Sequence, residues 1–343
     1  MNEHWKRFLE ARSAGVADDG GVRLEGADAH PECALFDLSH LGLIAAEGED
    51  AQGFLQGQIT NDVARAIPGR SLLAGYCNPK GRMLASLRLF RRDGAICLQL
   101  PAALLEGVLK RLRMFVLRAK AELRDASDEW VRIGLAGDCA PALLDAHLRE
   151  TPAEADQVVQ ERDLTCIRLP GPVPRFELVG PVEAIQPLWE ALEQRARPSG
   201  RGHWALLDIR AGLPTVLPAT AEAFVPQMAN MQLLDGVSFK KGCYTGQEVV
   251  ARMQYLGKLK RRMYLAHVDT GTLPAPGDEL FAADSASGQG AGKVVDAQPA
   301  PEGGYDLLAV VEIASADAGD VRLRGPGGPR LAFMPLPYAL DPA

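Results

Sequence analysis

Apolar and polar positions follow three successive patterns along the chain, and each predicts a different kind of element. Up to residue 100, short apolar runs are cut by turn signals. Residues 41–47 read as a strand, and Asp50 then N-caps a short helix through Leu55 that ends near Gly57. Residues 72–77 and 83–90 read as strands joined at Asn78-Pro79-Lys80-Gly81, a turn by composition, with 95–100 as a third strand. Between 102 and 117, Leu104, Val108, Leu112 and Phe115 recur at the spacing of one helix face, which predicts an amphipathic helix packed on that sheet.

The second pattern starts near Glu129. A strand at 130–136, a helix at 141–149, strands near 164–169 and 175–179 and a helix at 182–196 give a βαββα order, the mark of a small α+β module. Residues 197–202 read as a connector. Beyond Leu259 the third pattern is a run of short β segments (259–268, 278–282, 291–297, 305–313, 320–324 and 330–334) divided by Gly, Pro and Asp. Regular short strands with turn signals predict a small antiparallel barrel.

Composition narrows the possibilities. With 343 residues, 47% hydrophobic and 24% charged, the chain is long enough for two or three domains. An amphipathic segment at 5–11 precedes Gly-Val-Ala-Asp-Asp-Gly-Gly, without the basic and apolar regions of a signal peptide. No apolar run reaches the roughly 18 residues that a membrane span needs. A net charge of -7 argues against broad nucleic-acid binding, yet residues 240–262 hold Lys240, Lys241, Arg252, Lys258, Lys260, Arg261 and Arg262 against the single acid Glu248. Such a patch suits an anionic ligand tail, or is a solvated face. The cysteines at 33, 77, 97, 139, 166 and 243 form no C-x-x-C pair, which argues against a structural zinc site or a self-sufficient cluster cage. Six free thiols without an export signal imply a reducing cytoplasm.

The densest chemistry lies in Lys241-Gly242-Cys243-Tyr244-Thr245-Gly246-Gln247-Glu248. A thiol reacts or binds metal as its thiolate, which nearby ammonium charge or a helix N-terminus favours. Gln247 to Arg252 reads as the first turns of a helix just beyond the thiol. A lone Cys is most often a small buried hydrophobe, but polar flanks here favour a functional one. Cys243, Lys241, Tyr244, Gln247 and Glu248 form the candidate catalytic set.

This octet resembles the signature of the YgfZ-type folate-binding proteins, which are similar to the aminomethyltransferase of the glycine cleavage system. Further matching stretches are Gly48-Glu49-Asp50-Ala51, Phe54 through Val63, Lys80-Gly81-Arg82, Arg210-Ala211-Gly212-Leu213-Pro214, Phe224-Val225-Pro226-Gln227 and Pro335-Leu336-Pro337-Tyr338. The resemblance implies an α+β, three-domain ring with a C-terminal β-barrel. A discontinuous folate-binding domain would cover 30–128 plus 205–256, a small α+β domain 129–204, and the barrel 257–343. It also implies tetrahydrofolate or a derivative in a central channel, a role in iron-sulfur cluster assembly or repair with Cys243 as a transient iron ligand, and indirect support of tRNA modification by cluster enzymes. Partners would be cluster proteins or carriers, with no direct nucleic acid and no membrane.

Carried over residue by residue, the second of two family tryptophans falls on Trp204 and the first on Leu41, so one ring is missing. Arg210 stands where the transferase has an acid that pairs with the pterin. Trp204, Arg210, Gln227, Asn230, Arg252 and Lys80 form the candidate cofactor-binding set. A core aromatic at a strand edge explains Trp204 about as well, and turn capping explains Gln227 and Asn230 almost as well as contacts to the ligand's edges. Ala85 and Ser86 occupy the places of paired aspartates in the transferase, and neither supplies a titratable carboxylate, so glycine cleavage activity is not expected. Three classes stay open: a folate-dependent assembly or repair factor, a one-carbon transferase with Cys243 as nucleophile and Lys241 or Glu248 as proton partner, and a non-catalytic folate-sensing adaptor.

Overall fold

The structure is a computed structural model that describes residues 1–12, 15–16, 22–23, 31–283, 285 and 290–340. Most of the 15–21 stretch, the expected first-domain boundary at residue 30 and residues 341–343 lie outside the described residues. In chain order the elements are α1 (Glu3–Glu10), β1 (Gly15–Val16), β2 (Val22–Arg23), β3 (Ala34–Asp37), β4 (Leu41–Glu47), α2 (Ala51–Gln56), β5 (Leu72–Cys77), β6 (Met83–Arg92), β7 (Ala95–Pro101), α3 (Ala102–Val116) and β8 (Glu122–Asp125). Then come β9 (Val131–Ala136), α4 (Ala140–Asp145), β10 (Val158–Glu161), β11 (Leu164–Leu169), β12 (Arg175–Gly180), α5 (Val182–Leu192), β13 (Arg197–Ser199) and α6 (Arg201–Arg210). The last part holds α7 (Gln247–Tyr255), β14 (Arg261–Val268), β15 (Glu279–Phe281), β16 (Gly292–Pro299), β17 (Tyr305–Glu312), α8 (Ile313–Ala318), β18 (Arg322–Leu323) and β19 (Ala332–Met334).

These elements divide into two compact units. The first comprises Met1–Gln56, Val63–Leu72 and Leu87–Trp204. It contains a six-stranded sheet in the order β10-β11-β12-β9-β3-β13, covered by α1, α4 and α5. Asn2 caps α1 by accepting from the His4 and Trp5 amides, and the helix buries Trp5, Phe8 and Leu9. Trp5 meets Trp189 of α5 edge-on at 5.4 Å and donates its indole N–H to Asp37 at 2.7 Å. Burial raises the Asp37 pKa, opposed by the Trp5 and Ser39 hydrogen bonds. The second unit comprises Gly57–Asp62, Leu73–Ser86 and Ala205–Ala343. Its main sheet is antiparallel, ordered β18-β15-β16-β17-β14-β19 and curled into a half-barrel. Alternating inward residues such as Val294, Leu307, Ala309 and Val311 form its core.

The period-2 and period-3.6 patterns found most elements, and the departures have physical causes. The short edge strand β10 makes the middle module βαβββα. The stretch at 197–202 is not a plain connector: β13 pairs in parallel with β3, and α6 starts at Arg201. Trp204 is therefore helical, not at a strand edge. On α3 the buried stripe is Leu105, Val108, Leu109 and Leu112, whereas Phe115 is exposed. Cys33 and Cys139 are not free thiols but form a disulfide across a sequence separation of 106 residues, too far apart along the chain to carry a local spacing signal.

Trp204 has its surroundings filled. It is 2% exposed, meets Phe36 edge-on at 5.0 Å, and lies 5.5 Å from the Arg175 guanidinium. A methyl group added to Gly134 would come within 2.4 Å of the indole. We expect Trp204→Ala to lower stability by roughly 3 to 5 kcal/mol in urea unfolding, the usual loss for a buried aromatic truncated to Ala. Gly134→Ala should destabilise the wild type and do much less harm in the Trp204→Ala background, because the clashing ring is then gone.

Candidate functional site

The signature is anchored inside the second unit by the loop 57–62. Thr60 is fully buried; its hydroxyl donates to Gly236 O and accepts from Gly75 N, both at 2.7 Å. Asn61, equally buried, donates its side-chain amide to Leu73 O at 2.8 Å and Asp235 O at 2.6 Å. Two carbonyls of this pinned loop, Ile59 O and Asn61 O, accept from the Lys241 ammonium at 2.8 and 2.9 Å. The same ammonium lies 5.1 Å from the Tyr244 ring centre. Burial lowers the Lys241 pKa from 10.5 to about 8, against the attraction of Asp62, which raises it.

A second clamp holds the other end of the signature. Asn78 Oδ1 accepts from the Lys80 and Arg82 amides and closes the hairpin turn, while Gly81 there takes φ +70°. Gly246, at φ +84°, is the residue before α7. A side chain on Gly246 would lie 2.5 Å from Asn78 O, and one on Gly81 2.9 Å from Val249. Only glycine lets both the backbone dihedral and this approach occur. Cys243 sits between the two clamps, exposed, three residues ahead of Gly246. Tyr244 beside it is buried, and that burial raises its phenol pKa. Gln247 is half-buried at the start of α7, whereas Glu248 and Arg252 are exposed and no ion pair joins them among the described residues.

The remaining candidates separate. Gln227 and Asn230 are 2% and 1% exposed; their side-chain amides donate to Val250 O at 2.6 Å and Met263 O at 2.9 Å. Their carbonyl oxygens, Gln227 Oε1 and Asn230 Oδ1, have no hydrogen-bond partner among the described residues. Neither side chain caps a turn through that oxygen. Arg210 is engaged elsewhere: it pairs with Asp306 at 2.8 Å and Glu302 at 3.2 Å, and Asp306 also binds His267 Nδ1 at 2.8 Å. Lys80 is exposed on its turn. Ala85 and Ser86 are buried on β6, where Ser86 Oγ accepts from Val216 N at 3.0 Å. Trp204 belongs to the core of the first unit and Leu41 to β4. No group of three or more His, Cys, Asp or Glu side chains that could hold a metal forms among the described residues. Nor is any helix among them long and apolar enough to cross a membrane.

Comparison with known proteins matches residues 16–234 to the GCVT N-terminal domain. The tRNA-modifying protein YgfZ of Serratia proteamaculans is 32% identical over 319 residues, covering 93% of this chain and 96% of the relative. Its namesake from Yersinia pestis is 34% identical over 306 residues, 89% and 92% of the two chains. The chain belongs to the YgfZ family. Among solved structures, the glycine cleavage system aminomethyltransferase T of Bartonella henselae superposes with a TM-score of 0.72 at 21% identity, covering 98% of this chain and 97% of that one. The aminomethyltransferase fold is therefore shared.

Within this YgfZ-family site, the octet itself marks the thiol and its helix, and Lys241 reads there as a charge beside the thiol or a proton partner. Its second task, bonding the 57–62 loop, has a legible signal only in part: Thr60-Asn61 stands among the matching stretches, and nothing local shows which carbonyls a lysine 180 residues away will reach.

Two measurements follow from this geometry. Burial pushes Cys77 and Cys97 up to about 12 and raises Cys166, while Cys33 and Cys139 are bonded. Iodoacetamide on the folded protein should therefore modify Cys243 first, as read by mass mapping; early labelling of a buried Cys would contradict the fold. For Lys241, the unfolded chain holds the proton more tightly than the folded one between pH 8 and 10.5. Stability should thus rise with pH across that window. Wild type should gain on Lys241→Met from pH 8 to 10.5 in urea titrations, and a constant difference would show that the ammonium is not desolvated.

Proposed function

We propose that this protein is a folate-binding accessory factor in iron-sulfur cluster assembly or repair, acting in the cytoplasm and supporting tRNA modification indirectly through cluster enzymes. The observation that carries the reading is the placement of Cys243: an exposed thiol on a loop held at Lys241 and at Gly246. One thiol cannot fill a cluster's ligand set. Cluster iron, as cargo, would take its remaining ligands from a partner protein or carrier, or from small thiols. The relatives' printed description as tRNA-modifying proteins supports the downstream link.

Folate is supported by the amide pair. Gln227 Oε1 and Asn230 Oδ1 are buried acceptors without partners among the described residues, and a pterin edge carries N–H donors that such acceptors take. These two residues would orient the ligand, with Lys80 and Arg252 as exposed cations for its anionic tail. Trp204 and Arg210 contribute less than their positions imply, since the ring is packed and the guanidinium is ion-paired. Tetrahydrofolate, when bound, supplies a one-carbon carrier. Aminomethyl transfer is not part of the reading, because Ala85 and Ser86 offer no carboxylate.

A second reading, one-carbon transfer with Cys243 as nucleophile, is favoured by Lys241: an amine with a pKa of about 8 exchanges protons near neutral pH. Reconstitution separates the readings. Purified wild type and Cys243→Ser are incubated with iron and sulfide, with and without tetrahydrofolate, and cluster delivery to an apo-acceptor is followed by visible absorbance. We expect delivery by wild type, enhancement by tetrahydrofolate and background levels in Cys243→Ser. Equal delivery by both proteins would leave the adaptor reading, and indifference to tetrahydrofolate would remove folate from the mechanism.

A further inference from the structure

A cavity of about 380 Å³ lies wholly within the second unit and is not lined by Cys243, Gln227 or Asn230. Its volume is in the range of small-molecule sites. Three cations line it, Arg82, Arg261 and Lys293, against one carboxylate, Glu279. Phe224, Met228 and Val310 supply apolar wall.

The cations are held in different ways. Arg82 donates from Nη1 to Glu222 O and Ala223 O at 3.2 and 2.6 Å, which fixes its guanidinium to the cavity's own loop. Its Nε and Nη2 groups have no protein acceptor among the described residues. Arg261 binds Gly290 O at 2.7 Å and Glu312 at 3.0 Å, so that charge is largely neutralised. Lys293, in β16, stands opposite Glu279 of β15 and opposite Val310 of β17 in the strand register. No ion pair joins Lys293 to Glu279 among the described residues. Arg82 and Lys293 are thus a preformed fork and a point charge beside an apolar wall. That combination suits a planar anion on a hydrophobic body.

We propose that this cavity binds a small organic anion, a carboxylate or a phosphate monoester carried on an apolar group. The anion is held by Arg82 and Lys293, and the body rests on Phe224 and Met228. Arg82 ends the turn whose Gly81 abuts Gly246, so an occupant engages the same hairpin that clamps the signature.

Calorimetric titration with phenyl phosphate and with benzoate tests the proposal. At low salt we expect saturable one-to-one binding of at least one probe, weakened by added sodium chloride. Lys293→Met and Arg82→Met should each weaken it by about tenfold, the scale of a charge-assisted hydrogen bond. Glu279→Gln should tighten it, a gain that misfolding cannot produce. Preference for phenyl phosphate would assign a phosphate monoester, and preference for benzoate a carboxylate. No saturable binding of either probe, or unchanged affinity in a folded Lys293→Met protein, would overturn the proposal. The Cys243 and folate readings would be untouched by that failure, since they rest on other residues.

Discussion

The Lys241 ammonium, bonded to the carbonyls of Ile59 and Asn61, joins the signature to the rest of its unit. A half-buried ammonium is tolerated only when hydrogen bonds replace lost water, so the two acceptors must already be in place. Thr60 and Asn61 put them there through buried side-chain bonds to Gly75, Gly236, Leu73 and Asp235. The consequence reaches Cys243 two residues on. Its exposure is that of a short loop fastened at both ends, with a lysine of lowered pKa nearby in sequence. A thiol presented in this way can meet a partner without the loop having to order first.

The opposite end is fastened by absence of side chains. Gly81 and Gly246 sit where a β-carbon would strike backbone or Val249, and both take positive φ. Asn78 forms the turn that brings Gly81 into place, and its own carbonyl faces Gly246. Sequence positions 60, 78 and 241 to 248 are thereby parts of one arrangement, although no two of these stretches are neighbours along the chain.

The first unit solves a different problem. Its interior carries Arg88, Arg92, Gln99, Arg132 and Glu177, all buried, with partners that include Asp156 for Arg88 and Glu177 for Gln99. Buried charge stays only where it is paired or hydrogen-bonded. Arg132 shows the tension: burial lowers its pKa, and Glu177 and Asp37 act against that shift. In the second unit Asp306 follows the same rule: it is buried and pairs with Arg210 and His267, so Arg210, expected as a ligand contact from its place in a motif, is part of an ion network.

Local pattern was enough for β4, β5, β7, α3 and the long strands of the half-barrel, because one buried face imposes a period of 2 or 3.6 whatever lies opposite. It also exposed Cys243 and the helix after it, since glycines and polar flanks act over a few residues. β10 and β13 escaped notice because edge strands this short carry too few alternations to register. The octet and its companion stretches determined the family. What only tertiary structure decided is which distant groups meet: Cys33 with Cys139, Arg210 with Asp306, Trp204 with the bare backbone at Gly134, and Lys241 with Ile59. Those pairings join residues 70 to 182 positions apart, and packing, not local propensity, sets which of them come within bonding distance.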